Sequence, residues 1–590
     1  MVILKKDPLK WNILQTSIER FQHLFLKNLI VDTDYFRIVQ ARLYNGLDLL
    51  SKTMALEPIM LIKSPESSIY FTFLQKILLA MQEKTANKTK ILYGGRYEIN
   101  EHTVDWYPAK TIQDNFATYG GVHQSDWIEH NNLFGCVHIY KNQVSLSPGL
   151  VHHANGGFLI LSLRAILEQP LMWLRLKKIL TCKKYEWYSS DHSAPLPLDI
   201  PSMPMSFRLL LMGGQEALED FKNLEFELTN VSLYGEFEDT IELSDDIAFM
   251  NWRMWVQSVA DAMGCPPTDY NFWPALVHEG IRWTGDQGLL PLNLDWIRYQ
   301  LQEALLYCTD GLMKGNNLKK AIKMRAWREG LILEKILNNI EQNQIQIDTK
   351  GEVIGQINAL SVIEFPGHPG AFGTPVRVSC VVHIGDGEFI DVERKVDLGG
   401  SIHSKGLMIM QSWLLSTLKL EQNIPFSASL VFEQSYSELD GDSASLAALC
   451  ALISALSLTP INQKIAVTGS IDQLGSVQSI GGINEKIEGF FQICNQRILD
   501  GCQGVIIPSS NIRHLSLHQD VMKAIKNGTF SLWAVSNVDE ALLLLTGVPW
   551  KNKLGPSLLC FIKERIAKIN SQDIRRRTGP LRWFNWISSI

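Results

Sequence analysis

Residues 438–490 read ELDGDSASLAALCALISALSLTPINQKIAVTGSIDQLGSVQSIGGINEKIEGF, and the rest of the chain is organised around them. In this stretch Ser443 stands at the start of a run of small and apolar residues that predicts a helix. Lys486 follows the pair Gly481-Gly482, near the start of a second amphipathic helix. A hydroxyl nucleophile needs a base, and the stretch contains no histidine. A buried lysine can serve, because the loss of water lowers its pKa towards neutrality. The pattern therefore predicts a hydrolase with a Ser443–Lys486 dyad.

Each member of this pair also has a simpler explanation. Asp442 and Ser443 are common N-cap residues, so the serine could do no more than cap its helix. Lys486 lies at the margin of an apolar helix face, where most lysines extend their ammonium group to water. In favour of catalysis, unpaired N–H groups at a helix start can stabilise an oxyanion. Thr468, which follows a strand-like run, could in addition hydrogen-bond the lysine.

The sequence that surrounds this stretch predicts an α+β domain over residues 350–548. Four short β-type runs are separated by Gly and Pro clusters, and a helix over 406–420 interrupts them. These runs are Val353–Val362, Val376–Val382, Phe389–Val392 and Ser427–Phe432. The domain is expected to end near Gly547. The segment 549–590 is then a basic C-terminal tail, either a solvated end or a surface for nucleic acid.

The first half alternates strands and helices, which predicts an α/β domain with a helical subdomain over residues 1–345. An apolar strand at 58–62, a turn at 63–68 and a helix from Ile69 to Gln82 have the layout of a phosphate-binding loop. The turn lacks the glycines and the lysine that hold phosphate, and Glu66 would repel it. The strand Phe158–Leu161 ends in Ser162, where an acid that holds Mg²⁺ is expected. ATP and Mg²⁺ are therefore not expected cofactors.

Composition excludes several broad classes. The chain has 590 residues, 46% hydrophobic and 20% charged, with a net charge of −6, which indicates several well-cored domains. Nine scattered cysteines without a CxxC pair are typical of reduced thiols in a cytosolic protein. A metal site at His152 and His153 has no third ligand at a suitable spacing, so a packed or turn-capping pair is the preferred interpretation. We find no signal-peptide core and no apolar run of about 20 residues, and expect a soluble cytoplasmic protein without membrane contact.

The motifs around Ser443 and Lys486 resemble the proteolytic domain of Lon proteases, and most closely the LonB type. The resemblance extends from about Glu352 to Val548 and rests on four ordered motifs: Phe432–Tyr436, Gly441–Ser445, Val467–Ser470 and Gly481–Ile487. It implies that Ser443 is the nucleophile and Lys486 the general base. Thr468 then matches the threonine that orients the lysine, and Asp440 matches an acidic position.

The first half resembles the AAA+-like module of the same group through the stretch from Pro148 to Leu161. It departs from that module at the turn 63–68, at Ser162, and at Asn293, near the expected sensor arginine. The resemblance thus implies a degenerate AAA+-like α/β domain with a helical subdomain, followed by an α+β Lon-type proteolytic domain. It further implies a serine endopeptidase for unfolded proteins or peptides, with ATP dependence lost, in a homo-oligomeric ring of six subunits. The alternative is an oligomeric scaffold without productive proteolysis.

Overall fold

The computed structural model describes most of the chain in two compact units. The described residues are 6–14, 18–25, 34–52, 57–85, 91–100, 103–140, 143–188, 196, 198–385, 387–419, 426–435, 439–553 and 555–578. The units interleave along the sequence. The N-terminal unit comprises residues 21–268 and 290–313, and the C-terminal unit comprises residues 1–20, 269–289 and 314–590. The predicted domain boundary near residue 345 therefore falls inside the C-terminal unit.

The N-terminal unit is built on a five-stranded parallel sheet. Its strands are β1 (Ile59–Lys63), β2 (Val122–Ser125), β3 (Phe158–Ser162), β4 (Arg208–Gly213) and β5 (Leu233–Glu236), in the spatial order β5-β1-β4-β3-β2. Each pair is parallel, so helical connections must cover the sheet. The first of these is α1 (Ser68–Thr85), which follows β1 through the turn 64–67. The strand, turn and helix predicted at 58–82 are confirmed.

Helices and short hairpins complete this unit. The longer helices are Ala41–Lys52, Pro170–Cys182, Gln215–Leu224, Asp246–Ala262 and Leu294–Leu305. The shorter ones are Gln22–Phe25, Asp34–Val39, His130–Phe134, Leu150–His153, Leu163–Leu167 and Phe226–Val231. The two-stranded pairs join Gly95–Ile99 to Val104–Pro108, Cys136–Tyr140 to Gln143–Ser147, Lys184–Tyr185 to Met203–Pro204, and Thr240–Glu242 to Leu289–Pro291.

The C-terminal unit contains a seven-stranded mixed sheet. The strands are β6 (Gln356–Glu364), β7 (Ala371–Ile384), β8 (Phe389–Asp391), β9 (Phe426–Phe432), β10 (Ile465–Val467), β11 (Gly504–Pro508) and β12 (Ser531–Val535). Their spatial order is β8-β9-β7-β6-β10-β11-β12. Strands β9, β7 and β6 are antiparallel neighbours, whereas β6, β10, β11 and β12 run parallel. The predicted α+β character of this region is confirmed.

Helices pack on both faces of this sheet and carry the residues discussed below. They are α2 (Phe272–Thr284), α3 (Gly315–Glu329), α4 (Ser401–Leu418), α5 (Ser445–Ser457), α6 (Ile483–Gln496) and α7 (Leu558–Thr578). Shorter or less central elements are Leu331–Glu341, Val392–Lys395, Gln519–Lys526, Val538–Thr546, and the short strand pair Ser470–Ile471 with Val477–Gln478. Helix α5 is buried along its whole length, because its side chains are small or apolar on every face.

The segment 549–590 begins in the hydrophobic core and not as a solvated tail. Leu558, Ile562 and Ile566 lie at a spacing of four residues on α7 and are at most 5% exposed within the core of the C-terminal unit. Charged residues fill the other faces of this helix, so the sequence is dominated by charge although one stripe is apolar. Residues 579–590, and the side chains of Arg575, Arg576 and Arg577, lie outside the described residues. None of the described helices has the length and apolar character that crossing a bilayer requires.

Candidate active site

Ser443 lies in a turn two residues before helix α5. The helix begins at Ser445 and its N-cap residue is Ala444, which offers no side-chain hydrogen bond. The N-cap explanation for Ser443 and Asp442 is therefore wrong, as is the expectation that the serine lies in the first turn of the helix. The Ser445 N–H donates to the carbonyl of Asp442 at 3.0 Å, and this bond closes the turn that presents the Ser443 hydroxyl.

Lys486 comes from the first turns of α6 and points at this hydroxyl. Its Nζ donates a hydrogen bond of 2.8 Å to Ser443 Oγ. The lysine is 4% exposed, so its side chain does not extend to water as most lysines do. Burial lowers the pKa of Lys486 to about 8, while the carboxylates of Asp442 and Glu485 oppose this shift. The free amine is thus far more populated near neutral pH than it is in an exposed lysine.

The backbone of Ser443 is held from the opposite side by the end of β10. The N–H of Gly469 donates to the Ser443 carbonyl at 2.8 Å, and Thr468 Oγ1 donates to the same carbonyl at 3.3 Å. The expectation that Thr468 hydrogen-bonds the lysine is wrong, because its hydroxyl supports the serine backbone instead. Leu446 N–H also donates to the Gly469 carbonyl at 3.2 Å, so the strand end fixes both sides of the turn.

Two acidic residues near the serine have different partners. Asp442 Oδ2 accepts a hydrogen bond of 2.7 Å from Ser470 Oγ, which ties the turn to the short strand after Gly469. Asp440 Oδ1 accepts a bond of 3.3 Å from the N–H of Ile402, at the start of α4. The carboxylate of Asp440 therefore satisfies a helix N-terminus. The Asp442 carboxylate also raises the pKa of Lys486, more than Glu485 does. The motif alone did not assign this role to Asp442.

Helix α6 lies against strand β7 at a distance that only glycine permits. A Cβ atom on Gly489 would overlap the backbone of Gly373, and a Cβ atom on Gly373 would overlap the carbonyl of Glu485. This close approach sets the depth at which α6, and with it Lys486, is seated on the sheet. Neither glycine belongs to a motif near the serine, so sequence reasoning missed both of them. Glycine inside a helix or strand was the available signal.

A cleft of about 410 Å³ opens beside the turn that carries Ser443. It is lined by Lys405, Ile409, Asp442, Ser470, Ile471, Asp472, Gln473, Leu474 and Gln478. The volume falls within the range of roughly 300–1,000 Å³ that is typical of ligand sites. Its walls combine apolar side chains with charged groups of both signs. Such a cleft can accept the side chains of an extended peptide beside Asp442.

Side chains of the turn after β1 in the N-terminal unit bond to other parts of the protein. Ser67 Oγ donates to Asp295 Oδ1 at 2.7 Å, and the carboxylate of Glu66 lies 3.8 Å from the Arg164 guanidinium. Ser162 ends β3 with 4% exposure. Asn293 caps the helix Leu294–Leu305, where its Oδ1 accepts the N–H of Trp296 at 2.9 Å. The turn residues and Asn293 therefore contact other parts of the protein, and Ser162 is buried.

Of the two neighbouring histidines, His152 is packed into the N-terminal unit and His153 is exposed. His152 is 1% exposed, stacks near Trp187, and its Nδ1 accepts the N–H of Gly149 at 3.0 Å. Burial lowers the pKa of His152 to about 3, so the ring is neutral. Among the described residues no cluster of three His, Cys, Asp or Glu side chains is arranged to hold a metal ion.

Two segments of the chain match known protein families. Residues 436–546 match the family described as the Lon protease (S16) C-terminal proteolytic domain. Residues 122–231 match the LonB-like AAA domain. The first match contains both Ser443 and Lys486, and the second contains strands β2, β3 and β4. The molecule is thus a peptidase in which an AAA-type module and a Lon-type proteolytic domain share one chain.

Three related proteins align with most of this chain. A Lon protease homolog of Escherichia coli (strain K12) is 48% identical over 581 residues, which is 98% of this chain and 98% of that protein. A second homolog, from Haemophilus influenzae, is 38% identical over 92% of this chain and 90% of that protein. An archaeal Lon protease of Pyrococcus abyssi is 24% identical over 78% of this chain and 44% of its own length. The chain belongs to the Lon protease family.

Proposed function

We propose that the protein is a serine-type endopeptidase in which Ser443 is the nucleophile and Lys486 is the general base. The observation that carries this proposal is the 2.8 Å hydrogen bond between Lys486 Nζ and Ser443 Oγ at a buried lysine. A lysine can deprotonate a serine only when its own pKa is low enough for the free amine to exist. Burial supplies that condition here, since it lowers the pKa of Lys486 to about 8.

The reaction that fits these groups proceeds through an acyl-enzyme. The Lys486 amine takes the proton of Ser443 Oγ while that oxygen attacks the peptide carbonyl carbon. The resulting ammonium gives the proton to the leaving amine nitrogen as the C–N bond breaks. Water then attacks the ester, Lys486 takes a proton from it, and Ser443 Oγ leaves with that proton. Both half-reactions use the same two side chains.

The oxyanion of each tetrahedral intermediate needs donors close to Ser443. At the start of α5 the N–H groups of Ser445 and Leu446 already bond to the carbonyls of Asp442 and Gly469. We therefore assign the oxyanion to the N–H groups of Ser443 and Ala444, which precede them. A loss of one such donor costs roughly 100-fold to 1,000-fold in kcat in a well-studied serine protease.

We further propose that hydrolysis does not depend on ATP. The turn 63–68 has neither glycine nor a lysine at its end, and Ser67 is engaged with Asp295. Ser162 takes the place of the acid that would hold Mg²⁺ at the end of β3. These residues do not fit a nucleotide–magnesium complex, so substrates would be unfolded proteins or peptides that require no motor.

The predicted domain organisation and assembly form part of this proposal. Residues 1–345 would act as a degenerate AAA+-like module and residues 350–548 as the proteolytic domain, within a homo-oligomer. Light scattering of the purified chain tests the assembly, since a monomer at micromolar concentration would contradict it.

Digestion of unstructured casein tests the proposed function directly. Wild type should produce fragments at the same rate with and without ATP and Mg²⁺, and the Ser443→Ala variant should produce none. Stimulation by ATP together with nucleotide turnover would overturn the ATP-independent part. If wild type and the Ser443→Ala variant are equally inactive on casein and on short peptides, the protein is instead a scaffold.

A further inference from the structure

Helix α6 is held on the face opposite to Lys486 by a buried ion pair. Arg282, on α2, donates to both carboxylate oxygens of Glu488, at 2.6 Å and 2.7 Å. The side chains are 28% and 14% exposed. Glu488 lies two positions after Lys486, which corresponds to about 200° around a helix. The lysine and the glutamate therefore project from opposite sides of the same turn.

A loop of the C-terminal unit, residues 514–518, also bonds to this face of α6. Asn484 lies four residues before Glu488, and residues at this spacing share a helix face. Its side chain donates to the carbonyl of His514 at 2.9 Å and accepts the N–H of Ser516 at 2.7 Å. Glu488 Oε1 also accepts the N–H of His518 at 2.8 Å. The first two turns of α6 are thus fastened at two points.

The segment 269–289, which contains α2, joins the same contact. Arg282 donates to the carbonyl of Ser516 at 3.1 Å, in addition to its bonds with Glu488. Gln287 donates to the carbonyl of Leu515 at 2.8 Å, and Asp286 pairs with Arg513 at 2.7 Å. Helix, loop and α6 therefore form one connected polar network. All of its members belong to the C-terminal unit.

The pKa of Arg282 shows how strongly its charged form depends on Glu488. Burial alone would lower the pKa of Arg282, but the carboxylate of Glu488, helped by those of Glu485 and Glu279, outweighs this effect and raises the pKa. Both partners of such a pair are costly to strip of their counter-charge, because the remaining ion stays buried. Removal of either one should loosen α6 where it carries the catalytic lysine.

We propose that Arg282 and Glu488 are positioning residues that fix the rotation of α6 about its axis and thereby aim Lys486 at Ser443. This inference rests on the proposed function, since a positioning pair matters only if Lys486 is the base. A small rotation of α6 lengthens the bond between Nζ and Oγ. A misplacement of about 1 Å at a reacting group can cost roughly 100-fold in rate.

The chain offers a matched control on the same helix. Glu279 of α2 pairs with Arg325 of α3 at 2.7 Å, and these side chains are 15% and 13% exposed. This pair is at least as buried as the first one, but it joins α2 to α3 and not to α6. The Arg325→Gln variant therefore loses a comparable ion pair, while the Glu279 carboxylate and both bonds between Arg282 and Glu488 remain in place.

The test compares Arg282→Gln, Glu488→Gln and Arg325→Gln in the full-length protein with a fluorogenic peptide. We expect Arg282→Gln and Glu488→Gln to lower kcat by roughly tenfold or more while KM changes less than about twofold. The acid limb of their pH profiles should move up by about half a pH unit, since a looser helix admits water to Lys486. Asp442 and Glu485, the charged groups that face the lysine, are unchanged in all variants. Arg325→Gln should retain the wild-type kcat and pH profile despite a similar loss in Tm.

Two outcomes would overturn the inference. Equal losses of kcat in Arg282→Gln and Arg325→Gln would show a purely structural role, and so would an unmoved pH limb. If Arg282→Gln does not fold, Arg282→Lys replaces it, since it keeps the charge but loses the two-point contact. Wild-type behaviour of that folded variant would equally contradict the proposal. Wild-type protein without Ser443-dependent turnover would instead refute the proposed function, and the positioning role with it.

Discussion

Lys486 Nζ lies 2.8 Å from Ser443 Oγ, where the first turns of α6 meet the turn that precedes α5. The contact joins a hydroxyl in an open turn to an amine that is 4% exposed. Because the amine is buried and Asp442, the neighbour of Ser443, lines a cleft of about 410 Å³, we expect Lys486 to be shielded from water while a substrate reaches the turn that carries Ser443. The predictions below follow from this geometry.

The dyad itself is tested by removal of either side chain. Ser443→Ala and Lys486→Met should each lower kcat by roughly 1,000-fold or more, since neither the nucleophile nor its base has a replacement nearby. Ser445→Ala is the matched control: Ser445 Oγ only accepts the N–H of Ile471 at 3.2 Å. That variant should still cleave a fluorogenic peptide, with a stability loss of about 1 kcal/mol. Full activity in Ser443→Ala would exclude the dyad.

The pH dependence of hydrolysis should report Lys486. The free amine is the active form, and burial lowers the pKa of this lysine to about 8. The value of kcat/KM should therefore rise with pH through about 8 and level off above it. Stopped assays in buffers of constant ionic strength measure this profile. A flat profile between about pH 6 and about pH 10 would contradict a lysine base.

Asp442 should tune that profile. Its carboxylate is the largest influence that raises the pKa of Lys486 against burial, and Glu485 is the next. Asp442→Asn removes the charge while the amide oxygen can still accept the bond from Ser470. The acid limb should move to lower pH in this variant, and by a smaller amount in Glu485→Gln. A shift to higher pH in Asp442→Asn would show that the carboxylate acts in another way.

The contact between α6 and β7 should tolerate no Cβ atom. Gly489→Ala places a methyl group against the backbone of Gly373, which cannot rotate away. We expect a loss of about 1–3 kcal/mol in unfolding free energy, together with a lower kcat as α6 is pushed outward. Gly481→Ala is the control, because a Cβ there would meet no atom within 4 Å. Urea denaturation and peptide hydrolysis on both variants decide the point.

Helix α7 should be needed for the stability of the C-terminal unit. Ile562 is fully buried in the core, so Ile562→Ala should cost about 2–5 kcal/mol. Its exposed neighbour Lys563 provides the comparison, since Lys563→Ala should stay within about 0.5 kcal/mol of wild type. Equal stability of the two variants would show that α7 is not part of the folded core in solution.

Much of the local structure followed from the sequence, for identifiable reasons. The strand, turn and helix at 58–82 were predictable because an apolar run, a cluster of turn residues and a helical period occur in succession. The sequence predicts β9 to within one residue and β6 to within three, whereas β7 begins five residues before its predicted start and ends two residues after its predicted end. The helix with an apolar stripe at Leu558, Ile562 and Ile566 was missed, because basic residues conceal it. Local patterns cannot reveal which stripe another element will cover.

The sequence by itself determined the family and pointed to Ser443 and Lys486, because the four motifs can be recognised from their order along the chain alone. Only the tertiary structure decided what surrounds them. In the folded chain the Thr468 hydroxyl donates to the Ser443 carbonyl, and Ser443 lies outside the helix cap. Arg282 bonds to Glu488 on the face of α6 opposite to Lys486. These contacts join residues far apart in the chain. A propensity acts over a few residues, whereas burial and charge pairing depend on where the whole fold places each side chain.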